Sequence, residues 1–319
     1  MTAATLDRTE WLEWRRRGIG ASDVAAIGGS SPWASPWSVW ARKVGLVGDD
    51  DIAPTAEMEF GLVVEPAIVE LFRRRTGLDV VGAQQRCMHA THRWARATVD
   101  GFVVESVALG VDGALGVFES KYDSGQPWDV VPGHYWTQCQ WQMFVTDTSA
   151  AWLAVLHMAF GRPDFRVYEL TRDDTAIGHL RRECEHFWRA YVLTGDMPPT
   201  DGHPSTTAAI RRAFDHVEPD TFVDLTADTE QSVLILRSLR EQRRELDDEI
   251  REYENAIAVV LGEHTEGVVG GDTIVTYRQQ SRRDIDAKRL REELPEIAAA
   301  YERTSTYRVM RLPGGTSKR

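Results

Sequence analysis

The sequence predicts a mixed α/β fold, in which helices flank one mixed β-sheet, followed by a C-terminal region with a long helix and a small α+β element. Short apolar, β-branched runs lie together in the first two thirds of the chain, between runs whose apolar residues recur every three or four positions. Helices, a strand cluster, and then helix, strand, strand and helix are typical of a sheet that is covered by helices.

The first quarter of the chain is predicted to be helical. Ser22 is a suitable N-cap, because its hydroxyl can accept a hydrogen bond from a free backbone N–H of the following turn. Ser35 followed by Pro36 marks another helix start, since proline is favoured in the first helical turn. The predicted helices cover residues 7–17, 23–27, a segment that begins at residue 35, and 55–76.

The central part of the chain supplies the predicted sheet. Its apolar runs are short and β-branched, and a glycine-flanked turn at residues 110–113 separates two of them. The predicted strands cover residues 78–83, 95–104, 114–121, 151–158 and 165–170, and the helices between and after them cover 133–146 and 173–194.

A domain boundary is predicted near residue 200, because glycine, proline and aspartate are concentrated in residues 195–202. We therefore expect a core over residues 1–200 and an accessory region over residues 201–319. In the accessory region the patterns predict a helix over 228–261, a tight hairpin at 268–275, a helix over 286–301 and a strand over 306–312.

The predicted helix over residues 228–261 carries an apolar stripe whose spacings mostly alternate between three and four. Its members are Ile235, Leu239, Leu246, Ile250, Tyr253, Ile257 and Val260, and Gln242 interrupts it. Such a stripe usually belongs to a packed amphipathic helix, and a short coiled coil is the second interpretation.

The composition is that of a globular protein, with 42% hydrophobic and 27% charged residues. No apolar run reaches the length of a membrane span, and residues 1–17 lack the apolar core of a signal peptide, so a cytoplasmic location is expected. The three cysteines form no Cys-x-x-Cys pair, which argues against disulfides, structural zinc and an iron–sulfur cluster.

The net charge of −12 is the main objection to nucleic-acid binding. Net charge governs long-range steering, however, and a cleft can still hold locally clustered positive charge. Basic residues cluster at 15–17, 42–43 and 73–75. A basic groove in an acidic surface is one interpretation, and solvated helix faces are the other, especially for residues 73–75.

Asp100, Glu119 and Lys121 form the most informative pattern of the chain. Glu119 and Lys121 are two positions apart on a predicted strand, so they project to the same face, and Asp100 lies on a neighbouring strand. Two carboxylates and an ammonium on one face suit a hard divalent cation such as Mg²⁺. The lysine can then orient or deprotonate a metal-bound water for phosphodiester cleavage.

In their order along the chain, three further segments strengthen this interpretation: residues 11–27, residues 59–67 and residues 135–143. Together with the acid and the Glu-x-Lys pattern they resemble the YqaJ-type viral recombinase family, which includes the lambda-type exonucleases. The resemblance covers about residues 10–195. It implies a restriction-endonuclease-like core of the PD-(D/E)xK class, which would digest one strand of double-stranded DNA from its ends, from 5′ to 3′, in phage-type homologous recombination.

The resemblance also implies roles for individual residues. Asp100, Glu119, the backbone carbonyl of Ser120, and Glu65 would bind the metal, and Lys121 would assist the nucleophilic water. Asp112 is the alternative to Asp100, although its place in a glycine-flanked turn has a local explanation.

A glutamine beside the metal site is implied as well. Gln140 is our first choice and Gln138 the alternative, because the two lie about 200° apart on a helix and cannot both face the site. Arg15 and Ser22 match positions that hold a terminal 5′ phosphate in the family, and a guanidinium with a hydroxyl at a helix N-terminus is a plausible anion site.

The expected cofactor is Mg²⁺, with Mn²⁺ as a substitute, and the expected partners are double-stranded DNA ends and a single-strand annealing protein. A ring-shaped homo-oligomer is compatible with the resemblance, and no membrane partner is expected. Two other functions stay open: an endonuclease or end-trimming nuclease on the same fold, and a non-catalytic scaffold that binds DNA ends through the C-terminal helix.

Overall fold

The structure, a computed structural model, describes residues 8–48, 56–304 and 307–313. The chain divides into two compact units, Met1–Phe214 and Asp215–Arg319. The first unit extends past the predicted boundary at residue 200, because a helix over Pro204–Ala213 packs against its core through the buried Ala209.

The first unit is built on a five-stranded mixed sheet, which confirms the predicted fold class. The sheet has the strand order β1-β4-β5-β6-β7, in which only the β5–β6 pair is parallel. Two further strands, β2 and β3, form a separate antiparallel pair. The strands are β1 (Asp79–Val81), β2 (Gln85–Met88), β3 (Arg96–Val99), β4 (Gly101–Val104), β5 (Gly116–Asp123), β6 (Ala150–Ala159) and β7 (Arg162–Thr171).

Helices cover both faces of this sheet. They are α1 (Arg8–Arg16), α2 (Ala21–Ile27), α3 (Pro36–Lys43), α4 (Ala56–Thr76), α5 (Gly133–Thr146), α6 (Asp174–Phe187) and α7 (Pro204–Ala213), and a π-helical turn over Trp188–Val192 follows α6. As predicted, α3 starts at Ser35 and Pro36, and Ser35 is its N-cap, since its side chain accepts a hydrogen bond from the Ser38 N–H. Helix α5 forms the crossover that a parallel β5–β6 pair requires.

The alternation of side chains along β5 divides the core into two clusters. Phe118 points to the face covered by α4, where it meets Phe72 edge to face at a centroid distance of 5.0 Å. Val117 points to the opposite face and belongs to the larger cluster, which α2, α3, α5 and α6 share. By the same alternation Glu119 and Lys121 share one face of β5, as predicted, and that face is the α5 side.

Asp100 lies at the point where the chain passes from one sheet to the other. Strand β3 pairs only with β2, whereas β4 pairs with β1 and β5, and Asp100 is the single residue between β3 and β4. One strand was predicted over residues 95–104, and this change of partners divides it. Gly101 follows directly, where an added Cβ would lie only 2.5 Å from Val80 Cγ1, so the main chain needs a glycine there.

Helix α4 contains an internal proline, Pro66. After it, Ile68 and Phe72 are fully buried against the sheet. Before it, Leu62 and Val63 are largely exposed. Glu65 therefore lies at the junction between an anchored and an exposed half of the helix.

The second unit contains the predicted long helix, α8 (Ala227–Leu261), and the predicted hairpin of β8 (Glu266–Val269) and β9 (Asp272–Thr276). The helix predicted over residues 286–301 is divided into α9 (Ala287–Glu293) and α10 (Pro295–Tyr301), because Pro295 cannot donate a helical hydrogen bond. The predicted terminal strand is absent over residues 307–312, and Thr306 lies outside the described residues.

None of the helices in the described ranges is long and apolar enough to cross a membrane.

Candidate functional site

Glu119 is the centre of a cluster of polar side chains on the α5 side of the sheet. It is almost completely buried, and one of its carboxylate oxygens, Oε1, contacts the Lys121 ammonium. The same oxygen accepts a hydrogen bond from Gln138 Nε2 at 2.5 Å, and Oε2 accepts one from Gln142 Nε2 at 2.6 Å. The observed side-chain partners of this carboxylate therefore all lie on β5 or α5.

Asp100 joins this cluster through the backbone of β5. Its Oδ2 atom accepts hydrogen bonds from the Ser120 N–H at 2.8 Å and from the Ser120 hydroxyl at 2.9 Å. The aspartate is thereby fixed beside the strand that carries Glu119. Asp112, the sequence alternative, is instead exposed in a 3₁₀ turn over Val111–Gly113.

Gln84 links Asp100 to Glu65. Its Nε2 atom donates at 3.0 Å to Asp100 Oδ1 and at 3.0 Å to Glu65 Oε1. Gln84 has a backbone φ of 52°, a left-handed conformation that is uncommon for a residue with a side chain. Such strain is typical of functional sites, and here it directs the amide between two carboxylates.

The electrostatics of the cluster are those of an acid-rich site. Burial, and then the proximity of Asp100, raise the pKa of Glu119 to about 7. Burial and Asp100 also raise the pKa of Glu65. Burial alone would lower the pKa of Lys121, but Glu119 and Asp100 outweigh it and raise that pKa, so the lysine is held as an ammonium. Three carboxylates face one ammonium, and a further cation would relieve their repulsion.

The donor set fits a hard divalent cation, because Asp100, Glu119, Glu65 and the Ser120 carbonyl offer oxygen ligands. In the described part of the chain, however, no three His, Cys, Asp or Glu side chains already form a metal-sized group. The carboxylate oxygens instead accept hydrogen bonds from the amides of Gln84, Gln138 and Gln142. A cation would replace the Gln84 amide, which lies between Asp100 and Glu65, whereas Gln138 and Gln142 would continue to orient the Glu119 carboxylate.

Gln138, and not Gln140, reaches the central carboxylate. Gln140 is fully buried on another face of α5, where its amide donates to the Thr171 carbonyl at 2.9 Å and accepts from the Asp173 N–H at 2.8 Å. Our first choice is thus corrected: Gln140 holds the end of β7 to α5. The observed pair, Gln138 and Gln142, is spaced i and i+4, the spacing that places two residues on one helix face.

A pair of variants on α5 tests this difference. Gln138→Ala is expected to weaken divalent-cation affinity by about 10–100-fold, the usual cost of removing a residue that orients a metal ligand. Gln140→Ala is expected to leave that affinity unchanged but to lower the free energy of unfolding by about 1–3 kcal/mol, because the Thr171 carbonyl and the Asp173 N–H lose their partner. Calorimetric titration with Mg²⁺ and urea unfolding measure the two effects, and reversed outcomes would restore Gln140 to the site.

A second polar site lies between α1, α2 and α3. Arg15 Nη2 is 3.3 Å from Ser22 Oγ, so the structure brings the two predicted phosphate-binding residues together. The sequence predicted Ser22 as the N-cap of α2. That prediction is wrong, because Ser22 lies in the first turn of the helix. Gly20 is the N-cap, and its N–H donates to Asp23 Oδ2 at 2.9 Å.

Asp23 organises the cations of this second site. The carboxylate is buried and forms an ion pair with Lys43 at 2.6 Å, and Arg15 lies 3.9 Å from its other oxygen. Burial would raise the pKa of Asp23, but Lys43, Arg15 and Arg42 together hold it well below its usual range. A small surface pocket here is lined by Asp23 and four basic residues, namely Arg15, Arg16, Arg42 and Lys43. The site has an excess of positive charge.

Three site residues were not predicted from the sequence, namely Gln84, Gln142 and Asp23, whereas Lys43 belongs to the basic cluster at 42–43 that the sequence analysis singled out. Gln142 had a readable signal, its i, i+4 relation to Gln138. Asp23 also had one, because an acidic residue three positions after Gly20 can accept a hydrogen bond from the helix N-terminus. Gln84 had none, since its role depends on a left-handed turn between two strands.

Comparison with known proteins agrees with the resemblance found in the sequence. Residues 10–149 match the family model of the YqaJ-like viral recombinase domain, which confirms the predicted resemblance. The chain is 27% identical over 310 residues to the uncharacterized protein YqaJ of Bacillus subtilis strain 168, and the alignment covers 95% of this chain and 93% of that protein.

Two solved structures also match part of this chain. The alkaline exonuclease LHK-Exo of Laribacter hongkongensis is 20% identical, with a TM-score of 0.45, over 59% of this chain and 94% of that one. A putative exonuclease from Eubacterium rectale is 9% identical, with a TM-score of 0.46, over 72% of this chain and 98% of that one.

Proposed function

We propose that this protein, whose residues 10–149 match the YqaJ-like viral recombinase domain, is a metal-dependent exonuclease. It degrades one strand of double-stranded DNA from its ends, from 5′ to 3′, in phage-type homologous recombination. The observation that carries the proposal is the meeting of Asp100, Lys121 and Glu65, all partly exposed, around the buried Glu119 at one acid-rich point.

The proposed cation is Mg²⁺, for which Mn²⁺ substitutes, held by Asp100, Glu119, Glu65 and the carbonyl of Ser120. When bound, it supplies an activated water and stabilises charge on the phosphate. Lys121 remains an ammonium because Glu119 and Asp100 raise its pKa. It therefore acts as a hydrogen-bond donor that orients the attacking water or a phosphate oxygen. Gln138 and Gln142 hold the Glu119 carboxylate in place.

The cationic site around Asp23 supports a role in recognition of the DNA end. A terminal 5′ phosphate carries negative charge that would balance the excess positive charge of this pocket. Arg15 and the exposed Ser22 supply a guanidinium and a hydroxyl that can bind it. Lys43 donates to the Arg15 backbone carbonyl at 2.8 Å, which fixes α1 against α3. The arginine is thereby presented from a rigid base rather than from a free helix.

Removal of the 5′ phosphate from a linear duplex is expected to slow its degradation, and Arg15→Ala is expected to abolish the difference between the two ends. The physical reason is the loss of charge-assisted hydrogen bonds, which contribute about 1.5–3 kcal/mol, or about 10–100-fold in rate. Arg166→Ala, at an exposed arginine on β7, is the matched control and should keep the preference. Equal wild-type rates on both ends would refute the pocket.

The proposed activity is tested with end-labelled duplex DNA, with and without Mg²⁺. We expect mononucleotide release from linear DNA in Mg²⁺, no release in EDTA, and no cutting of covalently closed circles. Rapid cutting of closed circles would favour an endonuclease. Binding of DNA ends without hydrolysis, in Mg²⁺ and also in Mn²⁺, would favour a non-catalytic scaffold.

The remaining parts of the proposal concern the setting of the reaction. We propose a single-strand annealing protein as partner, since one-strand digestion leaves a 3′ single strand, and a cytoplasmic location, where phage recombination takes place. A ring-shaped oligomer would keep the enzyme on its substrate. Because the helix over Pro204–Ala213 belongs to the first unit, the accessory region expected over residues 201–319 is proposed to be the second unit, Asp215–Arg319.

A further inference from the structure

Helix α8 exposes its apolar stripe along most of its length. The helix has 35 residues and would extend for about 52 Å at the usual rise per residue. Every apolar member of the stripe from residue 235 to residue 257 is between 46% and 65% exposed, namely Ile235, Leu239, Leu246, Ile250, Tyr253 and Ile257. A long apolar stripe with this exposure marks an interaction surface.

The spacing of the stripe is symmetric about Leu246. Including Gln242, the intervals are 4, 3 and 4 before Leu246 and 4, 3 and 4 after it. If two copies of α8 lie antiparallel and cross at Leu246, each stripe residue of one helix lies opposite a stripe residue of the other. Ile235 then meets Ile257, Leu239 meets Tyr253, and Gln242 meets Ile250. A two-fold interface has this property, because residue i contacts residue j and residue j contacts residue i.

The charges of α8 are divided at the same point. Residues 237–244 contain four arginines and one acidic residue, whereas residues 245–254 contain six acidic residues and one arginine. Intrahelical pairs such as Arg251 with Asp248 neutralise only part of this charge. An antiparallel arrangement about Leu246 places the basic half of one helix beside the acidic half of the other. A parallel arrangement would place like charges together.

We propose that α8 is a self-association element, in which a second copy of this chain binds antiparallel to the first across a two-fold axis at Leu246. The symmetric spacing and the division of charge are independent features of the sequence, and both select the same partner, orientation and register. The two intervals of four around Leu246 depart from a strict heptad repeat, so the pair supercoils less than an ordinary coiled coil at its centre.

The first test is a substitution at the proposed axis. Leu246→Asp removes two leucines from the central layer and places two carboxylates against each other, so the dissociation constant for self-association should rise at least about 100-fold. Asn255→Asp adds the same charge on the opposite face of α8 and should leave the constant unchanged. Sedimentation equilibrium of the full chain measures both, and circular dichroism verifies that each variant is folded.

The second test determines orientation without disturbing the stripe. Spin labels are attached to Ser238→Cys and Asn255→Cys, and labelled wild-type protein accounts for any signal from the native cysteines. In the antiparallel pair the axial separation is about 24 Å between two Ser238 labels and about 27 Å between two Asn255 labels. A mixed sample, with one label type on each chain, should show an axial offset of only about 1.5 Å.

The outcomes distinguish the alternatives. Short distances in each single-label sample would show a parallel pair and overturn the proposed orientation. A monomeric wild-type chain, or equal association of Leu246→Asp and wild type, would show that the stripe binds another segment of the chain or another protein, and would overturn the proposal. Neither result depends on nuclease activity.

Discussion

Replacement of Glu119 with glutamine is expected to lower Mg²⁺-dependent DNA hydrolysis by more than about 100-fold while the fold stays intact. Loss of a residue that only orients a ligand costs about 10–100-fold, and Glu119 is proposed to bind the metal directly. The substitution keeps the size of the side chain and removes one negative charge from a buried, acid-rich point. The amide also replaces one acceptor oxygen by an NH₂ group that faces Lys121, Gln138 or Gln142, so unfolding without metal measures this structural cost separately from the loss of a ligand.

Thermal unfolding provides a readout of this variant that is independent of activity. Mg²⁺ at a hundredfold excess over its dissociation constant should stabilise the wild-type protein by about 2.7 kcal/mol, and this increment should disappear in Glu119→Gln. Glu105→Gln, at an exposed carboxylate, is the control and should keep both hydrolysis and the increment. Full activity or undiminished Mg²⁺ stabilisation in Glu119→Gln would exclude Glu119 as a ligand.

Replacement of Asp23 with asparagine is expected to lower the free energy of unfolding by about 3–5 kcal/mol. The side chains of Asp23 and Lys43 are only about 4% and 5% exposed, so the substitution leaves a buried ammonium without its counter-ion. The nearby Arg15 adds to the uncompensated charge. The asparagine keeps the shape of the site, which isolates the electrostatic effect.

A double-mutant cycle tests this interpretation. If the loss arises from an unpaired charge, Asp23→Asn with Lys43→Gln should be more stable than Asp23→Asn alone. Asp174→Asn, which breaks an exposed pair with Arg172, should cost less than about 1 kcal/mol. Urea unfolding measures all of these, and a loss below about 1 kcal/mol in Asp23→Asn would show that the buried pair adds little to stability.

Local sequence patterns were sufficient for most of the fold. The helices α3, α4 and α5, and the strands β5 and β6, are close to their predicted positions, because their apolar periodicity agrees with their burial. Strand β2 was missed because its sequence, Gln85–Met88, is polar and only partly buried. Helix α7 was missed because the glycines and prolines before it indicated a boundary, although Ala209 joins the core.

The site was harder to predict where it depends on contacts between distant segments. The shared face of Glu119 and Lys121 follows from strand geometry alone, and the structure brings both together as predicted. The choice between Gln138 and Gln140 depends on which face of α5 turns to the sheet, and that rotation is set by packing. The bridge from Gln84 to Asp100 and Glu65 joins three segments, and no local pattern encodes it.

Pro66 has a consequence for the opening motions of α4. Proline cannot donate the helical hydrogen bond to the carbonyl of Leu62, and the turns before it carry exposed apolar residues, whereas Ile68 and Phe72 anchor the turns after it. Amide protons of residues 60–65 should therefore exchange with deuterium well before those of residues 69–75. Local unfolding of these turns would then separate Glu65 from Gln84 and Asp100 and bring it back, while the sheet that carries Glu119 stays folded.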